Sequence, residues 1–343
     1  MNNQLKSATG ILVAIGIVAA FFLLVANLAA QEKAPTQTVE LRDKIYDVKF
    51  VSDREAWAIG YPGLLLHTTD AGETWERMTG ITDQALFALD FVGGTHGWIV
   101  GRGGSLLTTT DGGKTWQAKT PICTEPLFDV DFVDQTHGVA VGYFGQIWTT
   151  IDGGQSWTKH VIELMNNASL NAVCMISPTE AWIAGEAPLF ELQYNDKLTS
   201  AQITNLYHTT DGGQTWQIAR SGTNYTLYDI YFRDAQRGWA AGARGALIAT
   251  EDGGKTWRNI PTGVNGLLLK IGPAKDALWI VGTEGLVLKI VDQKTQLVDL
   301  KAYTWLDAIN FSSAGHGLIV GGRGSIFSTP DGGNSWKKFP VKR

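Results

Sequence analysis

From residue 41 onward, apolar and polar positions alternate in short runs. Leu127–Phe132 reads LFDVDF, residues 97–101 read GWIVG and residues 105–110 read SLLTTT. Such runs, rich in β-branched and aromatic residues and bounded by Gly and Asp turns, have the pattern of half-buried strands. Their order repeats: an alternating run, a turn, a GWIVG-like run, a G-x-x-G bend, a third run, a polar phrase and a short tail. Four strands per unit of about 40 residues predict the blades of a β-propeller. Nothing after residue 31 carries helical periodicity.

The polar phrase sets the count. TTDAGETW begins at Thr68, TTDGGKTW at Thr109, TIDGGQSW at Thr150, TTDGGQTW at Thr209, TEDGGKTW at Thr250 and TPDGGNSW at Thr329. Its aspartates, Asp70, Asp111, Asp152, Asp211, Asp252 and Asp331, are 41, 41, 59, 41 and 79 residues apart. The step of 59 holds an insertion of 18 residues, and the step of 79 spans two periods. Asp292, 40 residues after Asp252, marks a seventh unit whose glycines and tryptophan are gone. The expected fold is therefore all-β: a seven-bladed β-propeller of four-stranded blades over residues 41–343.

Within the phrase, the aspartate is expected to accept hydrogen bonds from backbone N–H groups about two residues on, as in an Asx turn. Glycine permits positive φ there. The phrase tryptophans Trp75, Trp116, Trp157, Trp216, Trp257 and Trp336 are expected to wedge between neighbouring units. A second series, Trp57, Trp98, Trp182, Trp239 and Trp279, lies in the second strands, with Val139 and Leu318 filling the slot in units three and seven.

The N-terminus is a separate object. Residues 8–30 are nearly unbroken apolar sequence behind Lys6, long enough to cross a bilayer. The reading is a signal anchor or signal peptide over 1–30, forming one transmembrane helix, and a linker over 31–40. Lys6 on the near side places the propeller across the membrane, periplasmic or lumenal. The formal net charge of −5 and the lack of a basic stripe argue against nucleic acid. Cys123 and Cys174 occupy different heights in adjacent units and are expected to stay unpaired. No metal-ligand or cofactor pattern is present.

In four-stranded blades the phrases share one face with the turns bearing His96, His137, Arg237 and His316, which read as turn residues. The second-to-third-strand bends and the inter-blade links share the other. There Arg102, Arg244 and Arg323, with Tyr61 and Tyr143, form a candidate partner-binding rim, and the insertion near 187–205 emerges on the same side. Binding residues gather on variable loops of rigid scaffolds, and Arg and Tyr are enriched at interfaces. The first strands line the channel, with Lys49, Asp90, Asp131, Cys174, Tyr231, Lys270 and Asn310 read as one ring. Ring closure is open: residues 38–41 and the tail SWKKFP (335–340) compete for one sheet edge.

Units of the form F-V-D-x-x-H-G-W-x-x-G-x-x-G with D-G-G-x-T-W resemble the photosystem II stability/assembly factor family, a branch of the BNR/Asp-box propellers, over about residues 41–343. The resemblance implies a non-catalytic propeller that binds membrane-protein subunits, such as a photosystem II reaction-centre precursor in a photosynthetic host. It also implies an arginine-bearing binding surface, carried over only to Arg102, Arg244 and Arg323. The chain departs from the pattern in having neither a lipoprotein cysteine nor a plastid transit peptide. Two alternatives stand beside it: an Asp-box glycoside hydrolase and a carbohydrate-binding propeller. For the hydrolase, the channel offers Asp47, Asp90, Asp129, Asp131 and Asp229, but the sialidase R-I-P motif is present only as the interrupted Arg258-Asn259-Ile260-Pro261.

Overall fold

The computed structural model describes residues 39–162, 168–186 and 205–341. The apolar run at 8–30 and most of the insertion, 187–204, lie outside the described residues. Among the described residues no helix is long and apolar enough to cross a membrane.

The described residues form seven four-stranded antiparallel sheets, each built from one contiguous stretch. In blade 1 the strands are Lys44–Phe50, Ala56–Tyr61, Leu64–Thr68 and Glu76–Met78, paired in that order. Blades 2 to 7 follow at 86–118, 127–160, 170–219, 227–259, 268–297 and 306–338. Seven clusters of buried apolar side chains, one per interface between neighbouring blades, make up the core. Trp57, Ile59 and Leu65 of blade 1, for example, pack on Leu86, Leu89, Ile99 and Trp116 of blade 2.

The repeated phrase is a clamp, and its reach is longer than the sequence suggests. In blade 2 the Thr115 N–H donates to Asp111 Oδ1 (2.9 Å) and its hydroxyl to Oδ2 (2.6 Å). The Thr109 hydroxyl donates to Asp111 Oδ1 (2.8 Å) and accepts from Gly113 N (3.0 Å). The aspartate thus bonds the residue four positions on, not two, because the leading threonine already caps the nearer N–H groups. The same bonds recur at Asp70, Asp152, Asp211, Asp252 and Asp331.

The clamp presents a Cβ-free surface to the preceding blade. Gly113 has φ +90°, and a Cβ there would stand 2.5 Å from Trp57 of blade 1; at Gly333 (φ +87°) it would stand 2.3 Å from Trp279. Trp116 meets Trp57 edge-on, centroids 5.8 Å apart. Trp57 Nε1 closes the contact by donating to the Gly112 carbonyl (3.1 Å). Trp57, Trp98, Trp182 and Trp279 are all at most 2% exposed. Gly113→Ala combines a clash with a left-handed backbone, so it is expected to destabilise the protein by roughly 1–3 kcal/mol, read as a lower urea midpoint at unchanged slope.

The ring closes without strand exchange. Blade 7 takes its outer strand, Lys337–Lys338, from the C-terminal side, and blade 1 is wholly N-terminal. Val39 and Glu40, the last two residues of the stretch read as linker, join the propeller: Val39 is buried beside Phe339 and Ile326, and Glu40 makes an isolated bridge. Side chains finish the seam. Asn310 Oδ1 accepts from Phe50 N (2.9 Å), Asp53 accepts from Ser313 and Ala314, and Lys337 pairs with Glu73.

Candidate functional site: the bend face and the channel

All five residues expected on the bend face are there and exposed. They do not share one register. Arg102, Tyr61 and Tyr143 follow the first glycine of their bends, whereas Arg244 and Arg323 stand one position later, at φ +56° and +58°. The Arg244 guanidinium lies 5.6 Å above the Tyr225 ring, a cation–π contact. The flanks of the insertion, Gly185 and Asn205, are bonded to each other on this face (N···O 2.9 Å).

The larger feature of this face is aromatic. The exposed large aromatic side chains among the described residues are Tyr61, Tyr143, Phe144, Tyr225, Tyr303 and Trp305, and all belong to bends or inter-blade links. Trp305 is 54% and Tyr303 85% exposed. Inside this rim, each of the seven first strands carries a β-bulge near its start, with residues 46, 87, 128, 171, 228, 269 and 307 in the bulged position. Tyr46, Phe87 and Phe128 form a continuous chain with Tyr143 and Phe144, at centroid spacings of 5.6, 5.9, 6.3 and 4.0 Å. Asp307, in the same position on blade 7, lies next to Tyr46 in this series. Burial pushes its carboxyl up to about 7. Tyr46 is raised too, by burial first and then by Asp307 and Tyr61.

Sequence reasoning missed Phe144, Tyr225, Tyr303 and Trp305. The signal was present: bends and links were already assigned to this face, and Phe144 lies in a bend and Tyr225, Tyr303 and Trp305 in links.

The channel ring needs one correction. Strand register aligns Lys49, Asp90, Asp131, Cys174, Tyr231 and Asn310 opposite the second-strand slot, but blade 6 contributes Gly272, not Lys270. Lys270 lies one layer away with Asp47, Asp129 and Asp229. The G-P pair that ends this strand shifts the apparent end of the apolar run.

The channel carboxylates hold blades together. Asp47 accepts from Leu89 N (3.0 Å), Asp90 from Phe132 N (2.9 Å) and Asp129 from Val173 N (2.9 Å). Asp131 accepts from Met175 N (2.6 Å) and Asp229 from Ile271 N (2.7 Å). Each donor belongs to the next blade. Lys49 pairs with Asp90 (2.6 Å) and Lys270 with Asp229 (3.3 Å). Burial raises Asp131 to about 7, with Asp90 adding to the effect, and Asp229 to about 6 against the pull of Lys270. The cavity they line is about 160 Å³, smaller than the ~300–1,000 Å³ of ordinary ligand pockets.

Turn residues on the opposite face are bonded within or beside their turns. His137 Nδ1 lies 2.9 Å from Asp134, Arg237 2.6 Å from Asp234, and His316 Nδ1 2.9 Å from the Asp53 carbonyl. His96 contacts the Thr95 hydroxyl (3.0 Å). Cys123 and Cys174 are free thiols, both raised by burial, Cys123 to about 11. Among the described residues no group of three His, Cys, Asp or Glu is arranged to hold a metal ion.

The sequence profile of a family described as photosynthesis system II assembly factor YCF48 matches residues 30–82, 80–126, 121–220 and 212–295. The chain belongs to this family. Among solved structures, "YCF48 bound to D1 peptide" superposes with TM-score 0.65 at 23% identity, over 83% of this chain and 92% of that one. YCF48 from Cyanidioschyzon merolae gives 0.66 at 19%, over 84% and 95%. A glycoside hydrolase of family GH74 from Niastella koreensis gives 0.67 at 15%, over 88% of this chain but 55% of the enzyme. Identities this low show a shared propeller, not a shared activity. No curated protein matches the chain significantly.

Proposed function

We propose that this protein is a non-catalytic propeller that binds a membrane-protein subunit through its bend face, in the manner of a photosystem II assembly factor. In a photosynthetic host the subunit is a reaction-centre precursor. Membership of the YCF48 family supports the assembly role, and a structure of one YCF48 is described as bound to a D1 peptide. The observation on this chain that carries the reading is the gathering of Tyr61, Tyr143, Phe144, Tyr225, Tyr303 and Trp305 on one face with Arg102, Arg244 and Arg323. Exposed aromatic and arginine side chains are the residues that dominate protein interfaces. Residues 8–30 are proposed to anchor the propeller on the periplasmic or lumenal side of an inner or thylakoid membrane.

The hydrolase reading fits less well. Its carboxylates are bonded to the N–H groups of neighbouring blades and surround a space too small for a sugar chain.

Pull-down from solubilised membranes tests the proposal, comparing wild type with Arg102→Ala/Arg244→Ala/Arg323→Ala and with Tyr143→Ser/Phe144→Ser/Trp305→Ser. Both variants are expected to lose at least tenfold of the recovered membrane subunit. Equal recovery by all three proteins removes the bend face from the account. Hydrolysis of xyloglucan or a sialoside that Asp→Asn at one channel position abolishes would restore the enzyme reading.

A further inference from the structure

On the phrase-bearing face, one interface lacks every wedge that the others use. The slot beside each second-strand residue is normally filled by the next blade's Asp-box, with its glycine against the indole and its tryptophan edge-on. Trp57, Trp182 and Trp279 each meet such a tryptophan at 5.6–5.8 Å. Between blades 5 and 6 the slot belongs to Trp239, and blade 6 brings no Asp-box to fill it.

Four local changes combine there. Ile290 stands in the register of the leading threonine, paired with Leu278 as Thr109 is with Gly97. Asp292 and Gln293 both adopt positive φ, +49° and +64°, so a tight two-residue hairpin replaces the glycine clamp. Leu297 takes the place of the tryptophan and is 62% exposed. Pro273 stands where Phe91, Phe132, Phe232 and Phe311 end the inner strands of other blades. On its own sheet Trp239 lies between Ala249 and Tyr231, whose ring is near-parallel to it at 6.1 Å, whereas Trp57 and Trp182 stack on His67 and His208.

The result is an open cleft of about 600 Å³. Trp239 stands half-buried at its floor, unlike its four counterparts at most 2% exposed. Ile260, Leu278 and Ile290 supply apolar walls. The Arg233 guanidinium lies 5.3 Å from the Trp239 ring centre, beside Tyr231, and Lys275 lines the rim with Asp276 and Asp292; neither cation forms an ion pair among the described residues. Arg237 and Arg258, also at the rim, are held by Asp234 and Glu251.

We infer that this cleft is a second docking site, distinct from the bend face, for a peptide segment of a partner protein that carries an aromatic side chain close to a carboxylate. The fold itself supplies the template: the equivalent clefts are occupied by Asp-Gly-Gly-x-Thr-Trp turns, which set a glycine against the indole and an aromatic ring edge-on to it, with an aspartate in the same turn. In the open cleft the aromatic ring of the segment meets Trp239 edge-on, and its carboxylate meets Arg233 and Lys275. The Gly-Gly pair of the template lets the backbone approach the indole closely, so a small residue beside the aromatic one is also expected.

The probe is a capped peptide, TTDGGKTW, copied from residues 109–116, titrated onto the propeller while the Trp239 indole N–H is followed by NMR. Saturable binding is expected, weakened at least tenfold by Trp→Ala in the peptide and about threefold by Asp→Asn. Arg233→Glu/Lys275→Glu, both at the surface, should weaken it by a similar factor to the Asp→Asn change. A second protein variant closes the cleft from within: Ile290→Thr, Gln293→Gly, Lys294→Gly, Gln296→Thr and Leu297→Trp give blade 6 the Asp-box it lacks. It is expected to raise the melting temperature and abolish peptide binding while leaving partner recovery through the bend face intact. No binding at millimolar peptide overturns the inference. So does binding that survives restoration of the box, or binding that is indifferent to the aromatic residue. Displacement of the peptide by cellohexaose, with tighter binding of the sugar, would assign the cleft to carbohydrate instead. Loss of pull-down by the bend-face variants with unchanged peptide binding would separate the two sites.

Discussion

Trp279→Ala is expected to cost about 3–5 kcal/mol of stability, the usual cost of deleting a large buried aromatic side chain. Trp279 is fully buried in the interface between blades 6 and 7, where it meets Phe311 and Trp336 at 6.0 and 5.6 Å and lies flat on Gly333. Removing it leaves a cavity walled by two rigid sheets that cannot collapse without breaking the ring. Trp239→Ala is the matched comparison. The same slot in blade 5 has no aromatic wedge from blade 6, so the loss there is expected to be only about 1–2 kcal/mol. Chemical denaturation of both variants reads the difference. Equal losses would mean that the cleft beside Trp239 is closed in solution.

The second large effect is a stability maximum in mildly acid solution. Asp111, Asp211, Asp252 and Asp331 are held down to about 2, chiefly by the hydroxyl four residues on. Asp152 is lowered for the same reason, and Asp70 is lowered although burial opposes it. A lowered carboxylate contributes stability that is present above its ordinary value of 3.8 and lost as the pH falls toward 2. Asp131, Asp229 and Asp307 act in the opposite sense. Burial raises them to about 7, 6 and 7, so the folded protein holds protons that the unfolded chain has released. Their contribution is fully present below about 3.8 and is lost progressively as the pH rises from there to 6 or 7. The melting temperature is therefore expected to peak near about pH 4 and to fall on both sides. Asp307→Asn should flatten the alkaline limb, because Asp307 owes its shift to burial alone. Calorimetry from pH 2 to 9 checks both limbs, and a melting temperature that climbs steadily from pH 5 to 8 would contradict this account.

The blade count was legible because the Asp-box turn is local chemistry: a threonine, an aspartate, two glycines and a hydroxyl close a clamp without help from the rest of the chain. Even the sixth unit could be located, since Asp292 keeps the period. The side of the wheel on which each loop emerges was also legible, because antiparallel strands alternate. Register was harder. The apolar run misplaces Lys270 by one channel layer because the strand ends in Gly272-Pro273, and the ladder that fixes its true partner, Val281, lies on another strand. The bends group Arg102 with Arg244 and Arg323 because a four-residue bend has two interior positions that composition does not distinguish. The exposure of Trp239 was beyond a one-strand reading. It depends on what the neighbouring blade fails to bring, and the same tryptophan in blades 1, 2, 4 and 6 is buried.

The seam between blades 1 and 7 has a consequence for rearrangement of the chain. Since every sheet is folded from its own uninterrupted stretch, cutting any inter-blade link splits no β-ladder. A circularly permuted version opened at 119–126, with its old termini joined by a flexible tether, should keep all of its hydrogen-bonded pairings, and a whole repeat could be spliced out or in without stranding an unpaired edge. The molecule is in this respect a string of interchangeable segments bent into a loop, fastened by side chains where its ends meet.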